Sequence, residues 1–404
     1  MRADVALHPF LSVATDCAPA AVVEDLFVDD LPGRYLVAEP PASLRCRPPL
    51  WVDHAEDERR FFFGGRSEGA FDPVYPFAAA GVAVLPHARL VGRGYVVVAG
   101  DGRVVAESVS GDHVLATDGH FEKQTVSVEV DGRRHAVPVA VRGHPSRPRL
   151  LPGRHILPTH HWHFNYHHWL VECLPRLRHA LEWPSLAGCP VIVPPAMAPF
   201  QRESLALVGI GSERQVPFDE GDWRVASLVF PTIGQFAPAE LAWVRAGLLR
   251  AVAGRGAGAG SRPGLRSAGP PEAVHGPRRL YISRGDAATR RLVNEAEVVA
   301  ALAPLGFARL ELTGMPLAEQ VARFANAEIV VGPHGSGLTN MLFAPRSAAL
   351  VELMPRDHVN HCFWLMASVL GQRYAFVSGP VGTPARDFEV PAERVVRAVA
   401  AVGG

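Results

Sequence analysis

From Arg278 to Leu353 the chain alternates short apolar runs with segments of helical length: RRLYISR, then 294–304, ARLEL, 316–326, EIVVG, a helix starting near 336, and AALVEL. Strands separated by helices call for crossover connections, and these build parallel βαβ units in a doubly wound α/β sheet. Such a sheet takes its ligands at the carboxyl ends of its strands, so the loops after RRLYISR and EIVVG are the ones to inspect.

Upstream of this block the pattern differs. A chain of 404 residues exceeds one ordinary core of about 100–200 residues. From Gly81 to about Val141 short β-formers alternate with turn signals, Asp101-Gly102 and Asp131-Gly132 among them, and predict an antiparallel meander. After Pro158 the character becomes α/β, with helical segments at 165–182, 199–208 and 238–252 and strands at 190–193, 214–218 and 225–230. A Gly/Pro/Ala tract without apolar periodicity covers 253–277 and predicts a linker. The expected division is therefore a first domain over 1–252, a linker over 253–277 and a second domain over 278–404. Residues 1–75, with their Pro-rich breaks and the run Phe61-Phe62-Phe63, name no element.

Charge and cysteine content exclude several classes. Forty basic residues, all but Lys123 arginine, balance forty acidic ones, so no general field holds polyphosphate and nucleic acid is not an expected partner. No apolar run reaches the roughly 18 residues of a membrane span. The start MRADVALHPF lacks the basic and then apolar blocks of a signal peptide. Five scattered cysteines without a CxxC argue against a disulfide framework or a zinc-thiolate site, and a reducing cytoplasm is the expected compartment.

Two constellations carry chemistry. In THHWHFNYHHWLVECLPRL, residues 159–177, Asn165, His168 and Glu172 fall within about 60° of one another on a helix, opposite Leu170, Leu174, Leu177 and Leu181. A histidine with a carboxylate one turn away can be oriented and made more basic, which suits a general base. Pro175 predicts a kink or restart of that helix. The same stretch permits a metal reading, with His163 and His167 at i, i+4, although no HExxH is present. The second constellation is EIVVGPHGSGLTNMLF, residues 328–343, a strand, a glycine-rich turn and a helix start whose amides attract a diphosphate while His334 donates to it. Arg284 ends the first strand of the same sheet and supplies a planar fork for phosphate, with Arg290 and Asn294 following. Glu352, near the end of an apolar strand, needs a partner, either a ribose or sugar diol or an arginine.

These residues resemble glycosyltransferase family 61, inverting enzymes of the GT-B architecture. The resemblance rests on Asn165-x-x-His168 with Glu172-x-Leu174-Pro175, on Tyr281-Ile282-Ser283-Arg284 with Asn294-Glu295, on Glu319-Gln320, and on Gly332-Pro333-His334-Gly335-Ser336-Gly337-Leu338-Thr339-Asn340 with Val351-Glu352-Leu353. It covers about 155–177 and 279–355, loosely 80–150, and none of 1–75. It implies two Rossmann-like domains facing across a cleft, acceptor contacts from the first and nucleotide-sugar contacts from the second, with no cofactor or essential metal. By resemblance the bacterial members look like capsule or exopolysaccharide enzymes, and the C-terminal stretch PAERVVRAVAAV is implied to close the fold or cross back to the first domain.

The expected activity is an inverting hexosyl or pentosyl transfer from a nucleotide sugar to a glycan acceptor. His168 serves as base, oriented by Glu172 or Asn165, or Glu172 is itself the base. Arg284, Arg290, Asn294, His334, Gly335, Ser336, Gly337, Asn340 and Glu352 hold the donor. The absence of any Asp-x-Asp fits a metal-independent site, since a hard cation wants such oxygen ligands. Two alternatives stay open: a metal-dependent hydrolase using the histidines of 155–168, and a catalytically silent sugar-binding protein.

Overall fold

A computed structural model of the chain describes residues 6–52, 74–109, 121–130, 133–142, 147–232, 236–256, 276–358 and 360–403. Most of the 253–277 tract, the run Phe61–Phe63 and the turn Asp131-Gly132 lie outside the described residues. The chain divides into two compact units, Met1–Ala42 with Ala78–Glu240 and Ser43–Phe77 with Leu241–Gly404. This differs from a division at 252. Residues 43–77 join the second unit, where Leu50 N–H donates to Tyr374 O at 2.8 Å and Trp364 Nε1–H to Arg47 O at 2.7 Å.

The second unit is a five-stranded parallel sheet in the order Phe307–Leu310, Arg279–Ile282, Ile329–Pro333, Ala349–Pro355, Arg373–Gly379. In chain order this is 2-1-3-4-5, so the winding reverses between Arg279–Ile282 and Ile329–Pro333. The loops leaving those two strands, after Ile282 and after Pro333, therefore border the switch point where open α/β sheets take ligands. The helices Glu295–Leu302, Leu317–Ala325 and Cys362–Leu370 connect the strands. Val395, Ala398, Val399 and Val402 of the helix Ala392–Gly403 repeat at i, i+3, i+4 and i+7, and pack on Ile329, Val331 and Val351 of the same unit. The C-terminal helix thus closes its own sheet.

The first unit holds a mixed sheet of 13 strands. Four of them are parallel in the order Asp222–Thr232, Arg149–Ile156, Val191–Val193, Gln215–Pro217. Beyond Asp222–Thr232 the pairing turns mostly antiparallel, with Ala6–Leu11 parallel to Val104–Val105 and Ala18–Pro19 parallel to Arg34–Glu39. That long strand pairs with both Ala80–Pro86 and Arg89–Val91, and Arg89–Val91 leads through Val96–Val98 to Val104–Val105. The Asp101-Gly102 turn is present, with Gly102 at φ +93° and its N–H donating to Ala99 O at 2.9 Å. Phe121–Val130 and Arg133–Arg142 pair as a hairpin, with Val130 opposite Arg133. The antiparallel strands do not form one continuous meander, because Ala6–Leu11 inserts between Val104–Val105 and the hairpin. Nor is this unit a purely parallel Rossmann-like sheet, since its parallel strands continue into antiparallel ones. Leu85, Leu90, Val97, Leu157, Ile192, Trp223, Val225 and Leu228 fill its core.

Candidate active site

Residues 166–182 do not form one regular helix. Tyr166–His168 is α-helical, Trp169–Cys173 is a π-helix, Leu174–Arg176 is 3-10 and Leu177–Glu182 is α-helical again. Pro175 sits in the 3-10 turn, the restart its sequence position requires. Asn165 is the N-cap: its Oδ1 accepts from His167 N–H at 2.9 Å, so it starts the helix rather than orienting His168. His163 lies before the helix, and so does not share a helical face with His167. Burial, helped by the nearby His160 and His161, pulls the His163 ring down to about 4.

The helix presents a dyad. His168 Nδ1 lies 2.9 Å from Glu172 Oε2, and His160 Nε2 approaches the same oxygen at 3.0 Å, close enough for an ion pair but off the hydrogen-bond direction. His160 Nδ1 accepts Trp162 N–H at 3.3 Å, which places the His160 proton on Nε2, facing Glu172. Burial alone raises the Glu172 carboxyl, but the contacts from His160 and His168 outweigh it and hold the carboxyl well below its ordinary range. With Nδ1–H donating to Glu172, the His168 Nε2 lone pair points away from the carboxylate. The His168 side chain is 28% exposed against 5% for His160, and Trp162 stacks on it with ring centroids 5.7 Å apart. This is the arrangement by which a carboxylate fixes the tautomer of a catalytic histidine. One turn on, Arg176 is buried with Nε and Nη1 unbonded among the described residues, its guanidinium 5.8 Å from the Phe230 ring. Burial lowers the Arg176 pKa.

A second dyad stands at the switch point of the other unit. His334, directly after Ile329–Pro333, places Nδ1 2.5 Å from Glu352 Oε1, and Tyr374 O–H donates to Glu352 Oε2 at 2.5 Å. Glu352 is fully buried, and both its oxygens are engaged by protein. Its protein partners among the described residues are His334 and Tyr374 rather than an arginine; it orders His334 and leaves Nε2 directed away from the carboxylate. A Cβ built on Gly335 would overlap the guanidinium of Arg284, so this glycine is what lets Arg284 lie against the backbone beside His334. Arg284 Nη2 donates to Thr289 O at 3.0 Å, and its buried Nε has no partner among the described residues. Burial, with the charge of Arg290 added, brings Arg284 down to about 10, still a cation at neutral pH.

Other donor candidates take part in the packing of the second unit. Gly337 and Ser336 belong to a seven-residue 3-10 helix, Ser336–Leu342, in place of the expected α-helix with its dipole. Asn340 is buried and donates to Gln320 Oε1 at 2.8 Å, bracing that turn against Leu317–Ala325. Asn294 donates to Val390 O at 2.8 Å and pins the start of Glu295–Leu302. Ser283 Oγ donates to Glu295 Oε1 at 2.7 Å within a network closed by Arg309. Sequence reasoning missed Tyr374, His358 and Arg386. Of these, Tyr374 alone stands in an apolar sequence context, in the strand Arg373–Gly379.

Among the described residues the group with metal-ligand spacing is Glu39, His179 and Glu240, away from the 155–168 histidines. Its acids already meet Arg178, at 2.9 Å from Glu39 and 3.3 Å from Glu240. A cavity of about 580 Å³ opens in the second unit, lined by Gly285, Arg291, Leu292, Glu295, Arg309 and Asp387 among others. Its charges are paired within the wall, Arg291 with Asp387 at 2.7 Å and Arg309 with Glu295 at 2.8 Å. It therefore offers no surplus charge for a phosphate, whereas the side holding Arg284 does.

Comparison with known proteins bears on this geometry. Residues 166–351 match the family described as Glycosyltransferase 61. The Glycosyltransferase 61 segment contains His168, Glu172, Arg284, Arg290 and His334, and stops one residue short of Glu352. The chain is also similar to the beta-1,2-xylosyltransferase XAX1 of Oryza sativa subsp. japonica, 33% identical over 135 residues, which is 32% of this chain and 19% of that protein. It is 34% identical over 100 residues to the EGF domain-specific O-linked N-acetylglucosamine transferase of Drosophila melanogaster, 24% of this chain and 19% of that protein. With the rice alpha-1,3-arabinosyltransferase XAT3 it shares 31% identity over 106 residues, 24% of this chain and 18% of that protein. The matched stretches thus span about a fifth of each relative.

Proposed function

We propose that this chain is an inverting glycosyltransferase that moves a sugar from a nucleotide-sugar donor to a glycan hydroxyl. The reading extends to a metal-independent, cytoplasmic enzyme of capsule- or exopolysaccharide-type synthesis. The observation that carries it is the His168–Glu172 dyad, with Nδ1 held at 2.9 Å and a partly exposed ring. Glu172 is held too acidic to be a good base and is shared with His160, so His168 Nε2 is the atom that takes the acceptor proton. The acceptor oxygen forms its bond to the anomeric carbon as the bond from that carbon to the diphosphate oxygen breaks. The departing electron pair stays on the diphosphate, and the positive charge to receive it comes from Arg284, which lies beside His334. Glu172 stabilises the imidazolium that forms on His168. The relatives named above transfer xylose, arabinose or N-acetylglucosamine according to their names, which favours a sugar nucleotide as donor.

The test is a panel of nucleotide sugars and glycans assayed for released nucleoside diphosphate, with the anomeric configuration of the product read by NMR. Release coupled to a product of inverted configuration is the expected result. Release with retention would remove the single-displacement mechanism, and no release with any pair would remove the transferase.

A further inference from the structure

Among the described residues Phe164 is the only exposed aromatic side chain, at 58%, and it stands in the turn that leads into Tyr166–His168. A single apolar ring on a surface is ordinary, but this one continues a row of rings that ends on the base. Trp162 lies 5.7 Å from Phe164 between ring centroids, and it also stacks on His168 at 5.7 Å with 24° between the planes. His161 stands edge-on to both, 4.9 Å from Trp162 and 6.3 Å from Phe164. His163 meets Phe164 edge-on at 5.9 Å and the buried Tyr95 at 5.2 Å, so the row is wedged against the core of its unit.

The turn that carries these rings is held by its own backbone. His163 N–H donates to His160 O and Asn165 N–H to Trp162 O, each at 3.0 Å, while Trp162 N–H donates to His160 Nδ1 at 3.3 Å. Buried Gln201 donates to His163 O at 3.0 Å and ties the turn to the helix Pro199–Leu207. With those amides and carbonyls engaged, the turn offers a ligand ring faces rather than a main-chain ladder, which disfavours an extended peptide. Nor does it offer charge. Residues 159–171 contain no Asp, Glu, Lys or Arg, and burial, helped by His160 and His161, brings His163 down to about 4, so its ring is neutral at pH 7. The charge of Glu172 is met by His168 and His160. A preformed, uncharged aromatic surface with a polar group at its end suits a ligand that is apolar on one face and polar at its rim.

We propose that Phe164 and Trp162 form a stacking platform for a neutral pyranose ring of the acceptor, presenting a hydroxyl of that sugar to His168 Nε2. The C–H face of the sugar lies on the aromatic faces, and its equatorial hydroxyls stay at the rim, one of them within reach of the base. The platform reads the acceptor as a glycan rather than a polypeptide, and as an uncharged one rather than a uronic acid. Stacking on a rigid turn also fixes the attacking oxygen relative to the base, so this contact supplies orientation as well as affinity. The proposal rests on His168 being the base of the transfer proposed above.

The experiment is calorimetric titration of the full chain with three neutral oligosaccharides, xylohexaose, cellohexaose and mannohexaose, and with hexagalacturonate as an acidic counterpart. Wild type is expected to bind at least one neutral chain, and to bind it more tightly than hexagalacturonate. Phe164→Ala removes little buried packing, so its melting temperature is expected to hold while that affinity falls roughly 10-fold. Phe164→Tyr, which keeps the ring face, is expected to stay within about two-fold of wild type, whereas Phe164→Leu, apolar without a π face, loses nearly as much as Phe164→Ala. Undiminished affinity in Phe164→Ala or Phe164→Leu, a preference for hexagalacturonate, or no binding of any neutral chain by wild type overturns the platform. Transfer of sugar to a peptide without oligosaccharide binding removes the platform and leaves the transferase. Oligosaccharide binding that Phe164→Ala weakens, in a protein that releases no nucleoside diphosphate from any donor, upholds the platform and removes the transferase.

Discussion

Each unit sets a histidine Nδ1 against a glutamate, yet the two pairs are built differently. Glu172 reaches His168 across a π-helical turn, shares its oxygen with His160, and leaves the ring partly in solvent with Trp162 stacked on it. Glu352 reaches His334 between neighbouring parallel strands, is closed off by Tyr374, and leaves the ring edge-on to His358, beside the glycine against which Arg284 lies. In the proposed reaction the two dyads take opposite duties. The π-helix matters to the first pair, because such single-turn widenings place side chains where a regular helix would not.

The sharpest way to break this contrast is to delete each ring. His168→Ala is expected to lower kcat by about 10²–10⁴-fold with nucleoside diphosphate affinity retained. His334→Ala is expected to weaken nucleoside diphosphate binding about 10-fold or more, the worth of one hydrogen bond to a charged group. Steady-state kinetics with calorimetry separates the two. Equal losses of binding in both variants would mean the dyads do the same job.

The second unit's topology was legible because parallel strands, buried on both faces, read as continuous apolar runs such as EIVVG and AALVEL. His168, Glu172, Arg284 and His334 were legible because each sits in a local motif that names its neighbours. What stayed hidden depends on distance along the chain. Arg386 meets His358 across 28 positions, and Tyr374 meets Glu352 across 22, so no periodicity links them. Asn340 and Asn294 look like ligand residues in sequence, but their amides are spent on Gln320 and Val390, partners that only the folded chain provides. The first unit misled for a related reason. Short β-formers separated by turns predict antiparallel strands well, but do not say that Asp222–Thr232 and Ala6–Leu11 will intervene between them.

A smaller effect tests burial. Glu352→Gln replaces a fully buried acceptor by an amide that can accept from only one of His334 and Tyr374. Leaving the other buried donor unsatisfied is expected to cost about 1–3 kcal/mol of stability, read by denaturant unfolding. Glu172→Gln, at a partly exposed site, is expected to cost less stability and more kcat. If both variants lose the same stability, the first dyad is structural as well.

The gentlest test uses acid. The Glu172 carboxyl is held below its ordinary value of 4.5, so it stays ionised in the folded protein at pH values where the unfolded chain takes up a proton. Its contribution to stability is therefore complete above about pH 4.5 and is lost as pH falls through its folded value. In Glu172→Gln that dependence is absent, so the stability gap between wild type and variant should be constant above pH 5 and narrow below about 4.5. Other groups run the opposite way over a higher window. His163 and His358, lowered to about 4 from 6.5, stay neutral when folded, so both proteins lose stability as pH drops below 6.5. This loss is common to wild type and variant and cancels in the difference. Unfolding curves at half-unit pH steps read the gap directly. A gap that stays constant down to pH 3 would mean Glu172 keeps an ordinary pKa, and the first dyad would then lack the held carboxylate that makes His168 its base.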